Sequence, residues 1–262
     1  MSLKSKVWLL LLSSVSLASA QNATPAPVST LDQVISTKVL RVCTTGDYKP
    51  FSFLNPDTKA FEGIDIDLAG SLATSLGAKA EFVPSKWATL LDDLGAGKCD
   101  IVMGGVSINL TRQARAFFSI PALTAGKAAI ARCEDKSKYN TLAAIDQPGV
   151  RVIVNPGGTN ESFAKANIKQ ATIVPFPTNV GIFDEIAAGR ADVMMTDSVE
   201  TLLQQKLNPK LCAVNADTPF TYAELGYMLP RGDTVFKAYV DQWLHLTQKS
   251  GDFQKEMDKF LK

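Results

Sequence analysis

Short apolar runs alternate along the chain with stretches of helical period. Val39 to Thr44 (VLRVCT), Ala80 to Val83 and Asp100 to Met103 are too short for helices and are bounded by polar residues, so they read as strands. Between them, Leu68 to Leu76 carries apolar residues at 68, 69, 72, 73 and 76, one face of a helix, and Gly77 stops it. Leu31 to Ser36 and Leu90 to Leu94 read as shorter helices. The pattern then restarts. Val150 to Val154, Thr172 to Val174 and Ala191 to Met195 read as strands, and Glu161 to Ala166, Val180 to Ala188 and Val199 to Lys206 as helices. Two βαβαβ units in tandem predict an α/β protein of two lobes, each a mostly parallel sheet flanked by helices. Helices over Val235 to Lys249 and Asp252 to Leu261 must pack on one lobe. The phrases GAGKCDIVMGG and IAAGRADVMMTD echo each other between the lobes. A cleft between two such lobes is the natural ligand site.

The first 20 residues have the form of a secretory signal: Lys4 and Lys6, an apolar core from Val7 to Leu12, and the cleavage site Ala18-Ser19-Ala20. The apolar run is too short for a stable anchor, so no membrane anchor is expected and the mature protein is periplasmic or secreted. Gln21 to Ser29 reads as a loose leader. The 27 Lys and Arg nearly balance the 26 Asp and Glu, with no basic stripe, which argues against nucleic acid as a partner. Four cysteines, Cys43, Cys99, Cys133 and Cys212, would follow export into oxidising surroundings. Cys133 and Cys212 fall in the same middle region and are the pair expected to bridge; Cys43 and Cys99 are read as buried thiols, with connectivity open. There is no C-x-x-C, and the one histidine, His245, lies on a C-terminal helix and reads as a surface or packing residue, so no metal site is expected.

The densest candidate chemistry lies in ADVMMTDSVE. Val193 to Met195 is a strand buried on both faces, and Asp197 and Glu200 stand at its end and on the first turn of the next helix, three residues apart and on one side. Strand-to-helix edges of open α/β sheets are where ligands bind. Two acids aimed at one cleft repel, and one that keeps its proton is a general acid; the plainer alternative is that Asp197 caps and Glu200 complements the helix dipole. Asn155 to Asn160 (NPGGTN) places a Gly-rich turn at a helix N-terminus, suited to a carboxylate or simply a tight turn. Arg112, in the stretch opened by Ser107, is either a carboxylate fork or a solvated arginine. Asp47, Tyr48, Phe51 and Trp87 come from first-lobe loops and could wall a flat ring, though Phe51 fits the core better. Lys127, where the chain crosses between lobes, is either a second anion partner or solvated. No G-x-S-x-G, H-E-x-x-H or triad is present.

VLRVCTTGDYKPFSF, GIDIDLAGSLATSLGA, DIVMGGVSINLTRQARAFFSIP and VNPGGTN resemble the periplasmic amino-acid-binding proteins of ABC transporters over nearly the whole mature chain. The resemblance implies two α/β lobes joined by two crossing hinge strands: residues 21–123 with 223–262 returning to the first, and 124–222 forming the second. It places the ligand carboxylate on Arg112, with Ser107, Gly158 and Thr159 beside it, and an α-amino group on Asp197. Within that fold TTGDYKPFS, GVSINLTRQ, QPGVRVIVNPGGTNESFAKAN, MMTDSVE and VDQWLH resemble the cyclohexadienyl dehydratases, exported enzymes acting on prephenate and arogenate. That closer resemblance makes Glu200 the general acid and adds Asp47, Trp87 and Asn155 to the site; Tyr48 and Lys127 complete the expected substrate-binding set. It implies a small-molecule substrate and no cofactor. Gly104 departs from the enzymes, which tend to carry Ser there. The alternative is an amino-acid receptor feeding a transporter.

Overall fold

The computed structural model describes residues 28–262. The expected signal over 1–20 and most of the leader lie outside the described residues. Two five-stranded sheets organise the chain. In the first, strands run in the order Lys79–Pro84, Val39–Thr44, Ile101–Val102, Met228–Leu229, Phe117–Phe118. In the second the order is Thr172–Pro175, Arg151–Val154, Val193–Asp197, Lys127–Arg132, Leu211–Val214. The first three strands of each order are parallel, as the βαβαβ patterns require. The antiparallel members come from the crossings. Met228–Leu229 returns into the first sheet against both its neighbours, and Lys127–Arg132 enters the second against Val193–Asp197 and Leu211–Val214. The strand KAAIAR, which runs up to Cys133, is the one expected ahead of that cysteine; its antiparallel place in the second sheet is what the pattern does not show.

The sheets are joined by a two-stranded antiparallel ribbon, Leu123–Ala125 against Ala223–Leu225. Gly126, directly after the first of these strands, admits no side chain: a Cβ there would lie 1.9 Å from the Thr221 carbonyl oxygen. Close crossing of two backbones demands glycine.

Val193 and Met195 pack in one apolar cluster of the second lobe and Met194 in another, which is the two-sided burial the pattern predicts. Phe236, Val240, Trp243 and Leu244 of the helix Thr234–Ser250 join Leu40, Leu68 and Leu72, so the C-terminal helices close over the first lobe. His245 is exposed there. The first-lobe helix begins at Ile64, earlier than Leu68. Its opening N–H groups, of Ile64 and Asp65, are taken by the carbonyls of Pro50 and Phe51 rather than by a side-chain cap. Gly63 allows that approach, since a Cβ would fall 2.4 Å from the Phe51 oxygen.

The echo between the lobes has a physical content. Asp100 accepts from the backbone N–H of Arg41 at 2.8 Å and from its Nη2 at 2.6 Å. Asp192 accepts from the N–H of Arg151 at 2.8 Å and from its Nη2 at 2.7 Å. In each lobe the Asp opening the third strand clamps the Arg at the head of the first, fixing strand register by charge-assisted bonds.

Cys133 pairs with Cys212, as expected, and Cys43 pairs with Cys99, which corrects the reading of those two as free thiols. Cys99 comes beside Cys43 because it lies just before the strand Ile101–Val102, the parallel neighbour of the strand that carries Cys43, a proximity invisible in spacing alone. The bridges close loops of 56 and 79 residues in sequence separation. Loop entropy puts each at roughly 4 kcal/mol. Replacing Cys43 and Cys99 by Ala should therefore lower unfolding stability by about 2–4 kcal/mol in urea titrations; a change within about 0.5 kcal/mol would contradict that.

Candidate active site

A cavity lies between the lobes at the carboxyl ends of the parallel strands. The first lobe contributes Tyr48, Trp87, Gly105 and Ser107; the second contributes Asn155, Gly158, Thr159, Asn160, Asn179 and Asp197. It offers about 20 Å³ to a water-sized sphere, room for about one water. A ring-sized ligand enters only if the lobes part.

The first-lobe wall is aromatic. Tyr48 and Trp87 meet edge to face with centroids 5.7 Å apart, and Trp87 Nε1 donates to Asp47 Oδ1 at 2.9 Å. Phe51 is buried against Tyr48 in the core, as its plainer reading holds. Gly105 lets the following loop pass Tyr48: it sits at φ +71°, and a Cβ would be 2.4 Å from the ring. Its N–H donates to buried Asp65 at 2.7 Å, while burial pushes the Asp65 carboxyl up to about 6.

The second-lobe wall is the Gly-rich turn and the start of the helix Thr159–Asn167. Gly158 faces Trp87, 3.7 Å from where its Cβ would stand, and Gly157 lies against Ala88. The turn is not a bare nest, since Glu161 accepts the Gly157 N–H at 2.8 Å. Ser107 and Thr159 hydroxyls meet across the lobes at 3.3 Å. Asn155 donates to the Pro177 carbonyl at 3.3 Å and lines the cavity.

Asp197 and Glu200 are both buried, and their surroundings set them apart. Lys127 lies directly across the sheet from Asp197, and its Nζ reaches Asp197 Oδ1 at 2.7 Å, Thr159 Oγ1 at 3.1 Å and Asn160 Oδ1 at 2.5 Å. Tyr48 donates to the other Asp197 oxygen at 2.6 Å. Both Asp197 oxygens are thus partnered, and the cation beside it is the protein's own lysine. Among the described residues no cation pairs with Glu200. Asn179 donates to its Oε1 and Thr196 to its Oε2, each at 2.6 Å. Burial, with the negative charges of Asp197 and Asp47, pushes its carboxyl well above the ordinary range and outweighs those two donors. Glu200 does not itself line the cavity; it stands behind Asn179.

Lys127, Asn160, Thr196 and Glu200 form one chain of hydrogen bonds, because Asn160 Nδ2 donates to Thr196 Oγ1 at 2.9 Å. Asn160, Thr196 and Asn179 were not singled out as site residues. Each sits at a helix start or strand end, where Asn and Thr read as ordinary caps. Arg112 stands apart from the cavity lining. It is half-buried, donates Nη1 to the Ser107 carbonyl at 2.8 Å, and its guanidinium is pushed down by burial. Among the described residues it forms no ion pair, so it remains available to a carboxylate.

Residues 40–262 match the profile of the bacterial extracellular solute-binding proteins, family 3. The chain is 51% identical over 236 residues to a cyclohexadienyl dehydratase of Pseudomonas aeruginosa, covering 90% of this chain and 87% of that one. It is 28% identical over 232 residues to an L-cystine-binding protein of Escherichia coli, covering 88% and 85%. Among solved structures it resembles an ancestral amino-acid-binding protein described as a precursor of cyclohexadienyl dehydratase, with TM-score 0.82, 38% identity, and 89% and 100% of the two chains covered. It also resembles an ancestral cyclohexadienyl dehydratase, with TM-score 0.57, 51% identity, and 90% and 98% covered.

Two outcomes follow from the divided acids. Lys127→Met leaves Asp197 buried without its cation and should cost about 3–5 kcal/mol by urea unfolding; a cost under about 1 kcal/mol would show the pair is solvated. Because the folded Glu200 carboxyl is raised, its contribution to stability is full below its ordinary value of 4.5 and is lost as pH rises through the folded value. Glu200→Gln carries no such dependence, so its stability should gain on the parent as pH rises from about 4.5 to 8, and a pH-independent difference would refute the shift.

Proposed function

The chain belongs to the bacterial extracellular solute-binding proteins, family 3, and we propose that within this family it is a dehydratase converting prephenate to phenylpyruvate and arogenate to phenylalanine. The observation that carries this reading is Glu200: a fully buried carboxyl, one hydrogen bond behind the wall of the interlobe cavity, where burial favours its protonated form. The 51% identity to the Pseudomonas aeruginosa enzyme supports it. A receptor for a free amino acid needs a carboxylate open to the α-ammonium, whereas Asp197 is already occupied by Lys127 and Tyr48.

The lobes, taken as 21–123 with 223–262 and as 124–222, open to admit the substrate and close over it. Arg112 and the Gly158-Thr159 turn hold the side-chain carboxylate, with Ser107 beside them. Asp47, Tyr48, Trp87 and Asn155 bound the ring. Lys127 neutralises Asp197, so that no free negative charge opposes the dianionic substrate. Glu200 gives its proton to the ring hydroxyl. The C–O bond breaks and water leaves. The electron pair of the ring–carboxylate bond moves into the ring as CO₂ departs, and the ring becomes aromatic. The Glu200 carboxylate then regains a proton from solvent when the lobes reopen. Aromatisation supplies the drive, so one positioned acid in a closed, dry cavity suffices. We place the protein in the periplasm, where its two disulfides persist.

Purified protein should turn over prephenate, with phenylpyruvate absorbance as the readout, and Glu200→Gln should lower kcat by about 10²–10⁴-fold with the fold intact. The parent rate should fall as pH rises through the raised value of Glu200, since only the protonated acid works. Tight binding of an amino acid without prephenate turnover would overturn the assignment in favour of a receptor.

A further inference from the structure

Asn179 is the first residue of the helix Asn179–Ala187, and only 3% of it is exposed. Its two amide atoms differ in their surroundings. Nδ2 donates to Glu200 Oε1 at 2.6 Å. Oδ1 is buried and, among the described residues, has no hydrogen-bond partner. The same residue lines the cavity. A buried acceptor left unpaired costs free energy and calls for an explanation. The neighbouring protein donors are committed elsewhere: the Thr196 hydroxyl to Glu200, Asn160 Nδ2 to Thr196, and Lys127 Nζ to Asp197, Thr159 and Asn160.

In the closed cavity one water has room to supply that donor; a ligand that displaces it must bring its own, either a hydroxyl or an ammonium. A neutral amide oxygen beside a neutral acid offers little to a cation, and Asp197, the carboxyl of the cavity lining, is already paired with Lys127. A hydroxyl fits. Resting on the dehydratase reading, we propose that Asn179 touches the substrate as a second catalytic residue: Oδ1 accepts from the ring hydroxyl that departs, while Nδ2 holds the acid that protonates it. Both amide atoms sit on one carbon, so the hydroxyl oxygen and Glu200 Oε1 are brought within hydrogen-bond reach of each other. The hydroxyl's own hydrogen points to Oδ1, which turns an oxygen lone pair toward the acid. When the C–O bond breaks, oxygen keeps the electron pair, takes the proton from Glu200 and becomes water. That water then has two acceptors waiting, Oδ1 and the new Glu200 carboxylate, which disfavours the reverse attack on the ring. No oxidant or reductant takes part.

The test compares Asn179→Leu and the smaller Asn179→Ala with the parent, reading kcat and KM for prephenate and the Kd of phenylpyruvate, which lacks the ring hydroxyl. Loss of a hydroxyl contact should lower kcat and raise the KM for prephenate, each by about 10-fold or more, with phenylpyruvate affinity unchanged within about twofold. A fall in kcat with KM unchanged would mean that Asn179 serves only Glu200 and would overturn the substrate contact. Equal weakening of phenylpyruvate would mean a damaged cavity and overturn it likewise. Unchanged kinetics in both variants would remove Asn179 while leaving the dehydratase reading standing, whereas a parent that turns over no prephenate would remove both.

Discussion

The site depends on one buried ion pair. Lys127 and Asp197 are opposite one another on antiparallel strands, with side-chain exposures of 6% and 4%. Taking two charges out of water is expensive, and the cost is met only where further hydrogen bonds satisfy both ions. Tyr48, Thr159 and Asn160 supply them. Two nearby carboxyls thereby acquire opposite characters. Asp197 has a cation against one oxygen and the Tyr48 hydroxyl against the other. Glu200, three residues on and equally buried, has only neutral donors and keeps its proton. Such a separation of two acids by their surroundings is what the proposed role of Glu200 as proton donor requires.

The same pair ties closure to chemistry. Tyr48 comes from the first lobe and Asp197 from the second, so their hydrogen bond forms when the lobes come together. Ser107 with Thr159, and Ala88 with Gly157, meet across the same cleft. The closed arrangement both completes the hydrogen bonding of Asp197 and buries Glu200, and exclusion of water strengthens every electrostatic interaction inside. The hinge is thin, one two-stranded ribbon with Gly126 where backbones cross. The lobes themselves are stiffened, each by a disulfide and by an aspartate clamping an arginine between the first and third strands.

The repeating strand and helix pattern determined much by itself. The two-lobe α/β architecture, the doubly buried strand Val193–Asp197, the Gly-rich turn opening Thr159–Asn167 and the pairing of Asp197 with Glu200 on one side of a turn all follow from periodicity and end signals that act over a few residues. The resemblance then marked Trp87, Asn155, Gly158 and Thr159, and the loop reading marked Tyr48; the fold brings all of them to one cavity.

Tertiary structure decided the rest, because it concerns distance between residues far apart in the chain. Spacing could not show that Cys43 meets Cys99, nor that the alanine-rich strand behind Lys127 lies beside the catalytic strand. Lys127 read equally well as a solvated residue at a crossing, and only register placed its ammonium on Asp197. Asn160, Thr196 and Asn179 carry ordinary capping chemistry, so their local signal was already accounted for; their role appears once the helix starts converge on Glu200. Whether a carboxyl holds its proton depends on burial and on which charges surround it, and both are properties of the packed molecule rather than of the residue.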